Sequence, residues 1–284
     1  MTPAREFGPA ALKAVRQAMV DAGRCRRTVN QRTARVGRGF RFGVENEILP
    51  PAVHHALKAV TGLRSGRSGV REGRKVGPVP DAHVDAVRPH LSRQLWAVVE
   101  LQRLTGMRSG EALAMRGGDL NTSGPVWVYT PARHKAEVHG KGRQVFLGPR
   151  AQEVLRPWLR SDPSEFLFQP REAKREHLEE RRATRRTPLT PSQRARGRKS
   201  SPRRVPGERY DPRTHNHAVA RACERAGVPR WHPHQLRHAA ATNLRKEFGL
   251  EAARVILGHT SPAVTELYAE ADREKAAKVM MQVG

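Results

Sequence analysis

The chain has 284 residues, enough for one large domain or two modest ones, and its 37% of hydrophobic residues are sufficient for a core. Lysine and arginine number 53 against 27 acidic residues, a net charge of +26 spread along the chain, which predicts a polyanionic partner such as DNA or RNA. An anionic membrane is the rival partner, but no apolar run approaches a spanning helix and no signal peptide is present, which favours a cytoplasmic protein.

Residues 1–62 predict a small, basic, all-helical module. Apolar residues recur at helical spacing in "GPAALKAVRQAMVDAG" and in "RTVNQRTARVGRGFRFGVENEILPPAVHHAL", which Pro50 and Pro51 interrupt. The following stretch, 63–82, is rich in Gly, Ser, Pro and basic residues and is predicted to be a flexible linker. The candidate DNA-binding arginines of the module are Arg32, Arg35, Arg38 and Arg41.

A second domain, residues 83–284, combines helices with a small sheet. The stretch "DAHVDAVRPHLSRQLWAVVELQRLTG" predicts two helices ending at Gly106, and the alternating "VWVYTPARHK" and "RQVFLG" predict strands on either side of a turn. "PRAQEVLRPWLR" predicts a helix, and helices resume from Asp211. Residues 171–209 are dominated by arginine and are predicted to be a mobile insertion. The predicted fold is mostly α with a small β-hairpin or three-stranded sheet.

The stretch "HPHQLRHAAATNLRKEFG" predicts a helix that presents two phosphate-binding side chains. His234 and Arg237 lie three residues apart near the helix start, where backbone N–H groups already attract anions. A guanidinium beside an imidazole suits a phosphate, although a solvated helix face is the ordinary alternative. Gly249 is a candidate C-cap. The stripe expected to face the core is Leu236, Ala240, Leu244 and Phe248.

"TGMRSGEALAMRGGDL" supplies a second candidate anion site. Gly106 ends one helix, Ser109 is a candidate N-cap of the next, and Arg108 lies at the join. Glu111 is placed to pair with an arginine and hold it.

The stretch "LGHTSPAVTELYAEAD" places a histidine and a tyrosine around a helix start. Gly258 ends a helix, His259 lies in the turn, and Ser261 followed by Pro262 begins a new helix. Tyr268 follows His259 by nine residues. Taken alone, Tyr268 fits a half-buried amphipathic side chain.

The five motifs together resemble the tyrosine recombinase (phage integrase) family. They are the arginine of TGxRxGE, a lysine in a β-hairpin, HxxR, LGH, and a tyrosine nine residues after that histidine, and they extend over residues 83–273. The resemblance implies a DNA recombinase that forms a 3′-phosphotyrosine without a cofactor or metal. It also implies double-stranded DNA as partner, a homo-tetramer on paired sites, and a nucleoid-associated location. Residues 1–62 would then be a truncated core-binding module.

The resemblance also assigns roles. Tyr268 would be the nucleophile, Arg108 and Arg237 would hold the phosphate, His259 would donate to it, and His234 would help to accept the tyrosine proton. Glu111 would orient Arg108. Lys135, placed near the end of a strand, is preferred as general acid over Lys141, which glycines flank at the turn. Lys141 and Arg143 are further candidate DNA contacts.

Several rival functions remain open from the sequence. The His-x-His of "WHPH" occurs in metal-dependent nickases, but there it requires a strand, and Pro233 favours a helix start. A zinc site of His215, His217, His232 and His234 lacks a cysteine or carboxylate partner nearby. A DNA-binding accessory protein without activity is a third rival, and relaxation of the type IB topoisomerase kind is a fourth. Cys25 and Cys223 fit neither a disulfide nor a metal site.

Overall fold

A computed structural model describes residues 3–73, 76–132, 143–188, 190–195 and 205–258. The chain divides into two compact units, Met1–Val76 and Gly77–Gly284. In the described residues no helix has the length and apolar character needed to cross a bilayer.

The described residues of the first unit contain three α-helices. They are α1 (Pro9–Asp21), α2 (Arg26–Glu45) and α3 (Pro51–Lys58). Proline occupies the first position of α1 and of α3, where its missing N–H costs no hydrogen bond. Leu12, Val29 and Leu57, one from each helix, are buried and form the small core of this unit.

Side chains of α2 bind the first part of the segment that the sequence predicts to be a linker. The Asn30 side chain of α2 donates to the Leu63 carbonyl at 3.0 Å and accepts from the Leu63 N–H at 2.9 Å. Arg26 pairs with Glu72 at 2.5 Å. Because these side chains satisfy its polar groups, the segment lies along α2 as far as Glu72.

The second unit contains nine described helices and one antiparallel sheet. The helices are α4 (Asp81–Ala86), α5 (Arg93–Thr105), α6 (Ser109–Leu113), α7 (Pro149–Leu155), α8 (Pro170–Ala183), α9 (Pro191–Ala195), α10 (Pro212–Ala226), α11 (Pro233–Phe248) and α12 (Leu250–Leu257). The strands are β1 (Leu120–Asn121), β2 (Trp127–Tyr129) and β3 (Val145–Leu147), in the order β1-β2-β3. This confirms the predicted fold class.

Helix α5 lies between two cores. Its Val98 and Leu101 pack with the inward side chains of the sheet, whereas Val99 packs with residues of α4, α10 and α11. In the sheet, Trp127 pairs with Leu147 and Tyr129 with Val145, so the alternate positions of both strands face the first core.

Helix α11 buries only the first part of its predicted stripe. Leu236 and Ala240 are buried, but Phe248 is 60% exposed. Gly249 caps the helix, as predicted.

Helix α8 covers only the first part of the predicted mobile insertion, 171–209, and this part is helical where the sequence predicts a mobile segment. Its first turn is anchored because Glu172 accepts from both terminal nitrogens of Arg160, at 2.9 and 2.5 Å. Gln94 of α5 donates to the same carboxylate at 3.2 Å. The rest of α8 buries no residue.

Candidate functional site

The turn between α5 and α6 requires a glycine and places Arg108. Gly106 ends α5 with a φ of +65°, in the left-handed region that glycine adopts freely. A Cβ on Gly106 would lie 2.4 Å from Leu257 Cδ2, so the glycine also allows α12 to approach. Thr105 Oγ1 accepts from the Met107 N–H at 3.2 Å and thereby fixes the chain just before Arg108.

Glu111 holds Arg108 through both carboxylate oxygens. Oε1 accepts from Arg108 Nη1 at 2.7 Å, and Oε2 accepts from the Arg108 backbone N–H at 2.9 Å. Burial would raise the pKa of Glu111, but the charge of Arg143 and the bonds from Arg108 outweigh it and lower that pKa. Arg108 retains 36% side-chain exposure, so it is oriented and still accessible. Ser109 is not the predicted N-cap, because α6 begins at Ser109 and its hydroxyl accepts from Gln102 at 3.1 Å.

Arg237 joins the segments of two other motifs. Its Nη1 donates to the Gly106 carbonyl at 2.7 Å and its Nη2 to the Leu257 carbonyl at 2.6 Å. The side chain is only 1% exposed. One guanidinium thus connects HxxR to the glycine of TGxRxGE and to the leucine of LGH.

His234 and His238 form a pair on the first turns of α11. Their rings meet edge to face with centroids 5.2 Å apart. The pKa of His234 is lowered, mainly because the ring is buried and to a smaller extent because of the positive charges of Arg237 and Arg108. Burial, His234 and Arg237 lower the pKa of His238 to about 4. Sequence reasoning missed His238, whose signal was its position one helical turn after His234.

Arg143 does not have the surface position expected of a DNA contact. Its side chain is 4% exposed, and Nη1 donates to the Ile256 carbonyl at 3.1 Å. The basic "HGKGR" stretch suggested a solvated turn, but the side chain turns inward toward Glu111, with Nε 3.6 Å from Oε1.

A cleft of about 1010 Å³ lies beside Arg108. Arg116 and Arg209 line it, and both guanidiniums lie over the Phe166 ring, 4.3 and 5.4 Å from its centroid. Sequence reasoning missed both arginines. Arg116 comes after the helix of TGxRxGE, and no sequence motif includes it. Arg209 is the last residue of the stretch that was predicted to be a mobile insertion.

The geometry argues against the histidine-metal rivals. His232 and His234 lie at the start of α11, not on a strand. No cluster of three or more His, Cys, Asp or Glu suited to a metal occurs among the described residues, which include all four histidines considered for zinc.

Eight predicted site residues remain, of which the structure describes four. The four arginines of α2 are exposed: Arg32, Arg35, Arg38 and Arg41. Lys135, Lys141, His259 and Tyr268 lie outside the described residues.

Comparisons with known proteins indicate a family for this chain. The family model described as the phage integrase family matches residues 84–275. Tyrosine recombinase XerC of Mycobacterium sp. (strain KMS) is 28% identical over 290 residues, which cover 94% of this chain and 80% of that protein.

Two solved structures of lambda integrase share the fold. A dimer bound to a COC′ core site has a TM-score of 0.62 at 15% identity, covering 95% of this chain and 82% of the other. A tetramer bound to a Holliday junction has a TM-score of 0.60 at 15% identity, and the match covers 95% of this chain and 66% of the integrase chain.

Proposed function

Because this chain belongs to the phage integrase family of tyrosine recombinases, we propose that Tyr268 cleaves DNA at a phosphate held by Arg108 and Arg237. The protein is a site-specific DNA recombinase, an enzyme that breaks and rejoins DNA strands. Residue roles, assembly and location are the proposed part.

The proposed chemistry is a phosphoryl transfer in which one proton leaves the tyrosine and one proton is given to the leaving oxygen. The Tyr268 oxygen forms a bond to phosphorus, the bond from phosphorus to the 5′-oxygen breaks, and a 3′-phosphotyrosine remains. The tyrosine proton passes to His234, and the lowered pKa of that ring favours the neutral form, which is the form with a nitrogen lone pair to accept a proton. Lys135 gives a proton to the departing 5′-oxygen. Attack by a 5′-hydroxyl reverses the step.

The arginines act on the charge of the transition state. Charge accumulates on the non-bridging oxygens of the phosphate, and fixed guanidiniums stabilise it without reorganising. Glu111 orients Arg108 through two hydrogen bonds, and His259 is proposed to donate a further bond to the same oxygens.

The observation that carries this proposal is the position of Arg237. Its two hydrogen bonds bring together Gly106, which lies 131 residues before Arg237 in the chain, and Leu257, which lies 20 residues after it. Residues that follow these two carbonyls in the chain, Arg108 and His259, are the other proposed phosphate ligands. Arg237 is thereby placed between the two segments that carry the other proposed ligands.

The proposed assembly is a homo-tetramer on two paired double-stranded DNA sites. It is supported by the shared fold with lambda integrase, which has been solved as a tetramer on a Holliday junction. The first unit would bind DNA through the exposed arginines of α2, as a core-binding module does. We propose a cytoplasmic, nucleoid-associated location, because the substrate is DNA.

The test is covalent capture of DNA by Tyr268→Phe and by the parent protein. A library of nicked duplexes traps the covalent intermediate, because the short strand beyond the cut diffuses away. The parent should form an adduct that resists SDS, and sequencing of the attached strands would identify the target. Tyr268→Phe should bind the recovered duplex with similar affinity and form no adduct.

Tyr129→Phe is the matched control for this experiment. Tyr129 is buried and donates to the Glu111 carbonyl at 2.8 Å, so its hydroxyl is structural. This variant should still form the adduct. An SDS-resistant adduct in Tyr268→Phe would contradict the assignment of the nucleophile.

A further inference from the structure

Arg143 shares a carboxylate oxygen with Arg108. Glu111 Oε1 lies 2.7 Å from Arg108 Nη1 and 3.6 Å from Arg143 Nε, and the Glu111 side chain is only 5% exposed. The position of this carboxylate therefore depends on two guanidiniums. One belongs to the proposed phosphate ligand and the other is buried behind it.

Arg143 also caps the end of α12. Its Nη1 donates to the Ile256 carbonyl at 3.1 Å, and Arg237 donates to the next carbonyl, that of Leu257. The last carbonyls of a helix lack partners within the helix and carry partial negative charge. Two arginines thus hold the last turn of α12, and each is linked to the segment that carries Arg108.

Gly258 is shaped to accept Arg143. A Cβ at this position would lie 2.5 Å from Arg143 Nη1 and 3.1 Å from Cδ, and the φ of +63° already favours glycine. The glycine of LGH therefore has a second reason to be a glycine, which is to leave space for this guanidinium.

The burial of the Arg143 charge indicates that this side chain does more than fill space in the core. Among the described residues, Nε and Nη2 are buried without a hydrogen-bond partner. An incompletely bonded buried charge is costly, and an apolar side chain of similar volume is often more stable in such a place. A role of the Arg143 charge in the active site, and not in stability, would explain why an arginine is buried at this position.

We propose that Arg143 is a positioning residue for DNA cleavage, which fixes the Glu111–Arg108 pair against the end of α12. This role rests on the proposed function, because it acts through Arg108 on the scissile phosphate. Arg143 itself does not contact the DNA.

Single-turnover cleavage tests the proposal, with a nicked duplex recovered by the parent protein as the probe. Arg143→Met keeps the volume and removes the charge, and Arg143→Lys keeps the charge but cannot serve Glu111 and Ile256 together. Both variants should lower the maximal rate of adduct formation by ~10-fold or more, because displacing a catalytic group by a fraction of an ångström is costly. The protein concentration at half-maximal rate should stay within about threefold, since no DNA contact is lost.

A double-mutant cycle identifies the path of the effect. In a Glu111→Gln background, Arg143→Met should cost much less than it does in the parent, because the residue through which it acts has changed. Arg150→Met, an exposed arginine of α7, is the control and should leave the maximal rate unchanged.

An unchanged maximal rate, a defect confined to DNA affinity, or equal costs of Arg143→Met in both backgrounds would overturn the proposal. Circular dichroism and thermal unfolding accompany each variant. If Arg143→Met and Arg143→Lys both fail to fold, the residue supports the fold in general and the proposal also fails. Absence of any adduct in the parent would instead contradict the proposed function.

Discussion

Arg237 donates to two carbonyls from different segments, a pattern that requires a planar group with several N–H donors. Lysine offers a point charge at the end of a flexible stem and cannot reproduce it. We expect Arg108→Ala, Arg108→Lys, Arg237→Ala and Arg237→Lys each to slow adduct formation by at least ~100-fold, the cost of losing one preorganised donor. The measurement is the single-turnover rate at saturating DNA. A rate within a few-fold of the parent for both alanine variants would contradict the phosphate-holding role.

His215 should make the protein sensitive to mild acid. It is completely buried on α10, its ring nitrogens have no hydrogen-bond partner in the described part of the chain, and burial lowers its pKa to about 4. Between pH 6.5 and 4 the unfolded chain binds a proton that the folded chain excludes, so stability falls as the pH falls. The expected loss from this residue is about 2 kcal/mol between pH 7 and pH 5.

The histidine variants His215→Leu and His217→Leu separate this effect from other titrations. Urea unfolding at pH 7 and pH 5 should show that His215→Leu loses less stability than the parent on acidification. His217 is exposed on the same helix, so its variant should behave as the parent does. Equal pH dependence in His215→Leu and the parent would show that His215 is not the cause.

Single residues were predictable where a motif specified both type and place. The motifs predicted the pairing of Glu111 with Arg108, but the inward direction of Arg143 depends on contacts with Ile256 and Gly258, more than one hundred residues later. Such long-range contacts leave no local pattern, which is why a surface role was predicted for Arg143. The assignments of Lys135 and Tyr268 stay predictions.

At the scale of elements, helix α8 depends on its anchored first turn. Glu172 binds Arg160, which also donates to the Phe166 and Leu167 carbonyls at 2.8 and 3.2 Å. We expect Glu172→Gln to lower the free energy of unfolding by about 1–2 kcal/mol, because a partly buried, charge-assisted pair is lost. Urea unfolding measures this loss.

The matched control for α8 is Glu179→Gln. Glu179 lies 4.0 Å from Arg175 and both side chains are more than 60% exposed, so this pair should contribute less than about 0.5 kcal/mol. If the two variants are equally stable, the first turn does not anchor the helix.

The elements that were predicted share apolar periodicity. Helices α5 and α11 and the strands β2 and β3 carry buried side chains at the spacing of their class, so the sequence indicates them directly. Helix α8 buries no residue, and it was missed because its first turn is held by a proline at its start and by Arg160, which precedes the helix in the chain. Ionic anchoring has no periodic signature.

At the scale of the whole molecule, a net charge of +26 gives DNA affinity without specificity, and only some of the arginines can be ordered contacts. The cleft beside Arg108 places two arginines over the same aromatic ring, that of Phe166. Arg116 and Arg209 are held against one aromatic ring, so their guanidiniums lose less freedom on binding a phosphate.

We therefore expect Arg116 and Arg209 to contact DNA phosphates next to the cleavage site. Affinity for the recovered duplex, measured over a range of salt concentrations, should fall in Arg116→Gln and Arg209→Gln. The slope of log affinity against log salt should flatten by about one for each arginine, because each phosphate contact releases counterions. Phe166→Leu keeps both charges and removes the ring, so its slope should match the parent while its affinity falls modestly. Unchanged slopes in both arginine variants would show that DNA does not enter this cleft. Arg116 and Arg209 would then attract DNA only through their positive charge, without ordered contacts to phosphates.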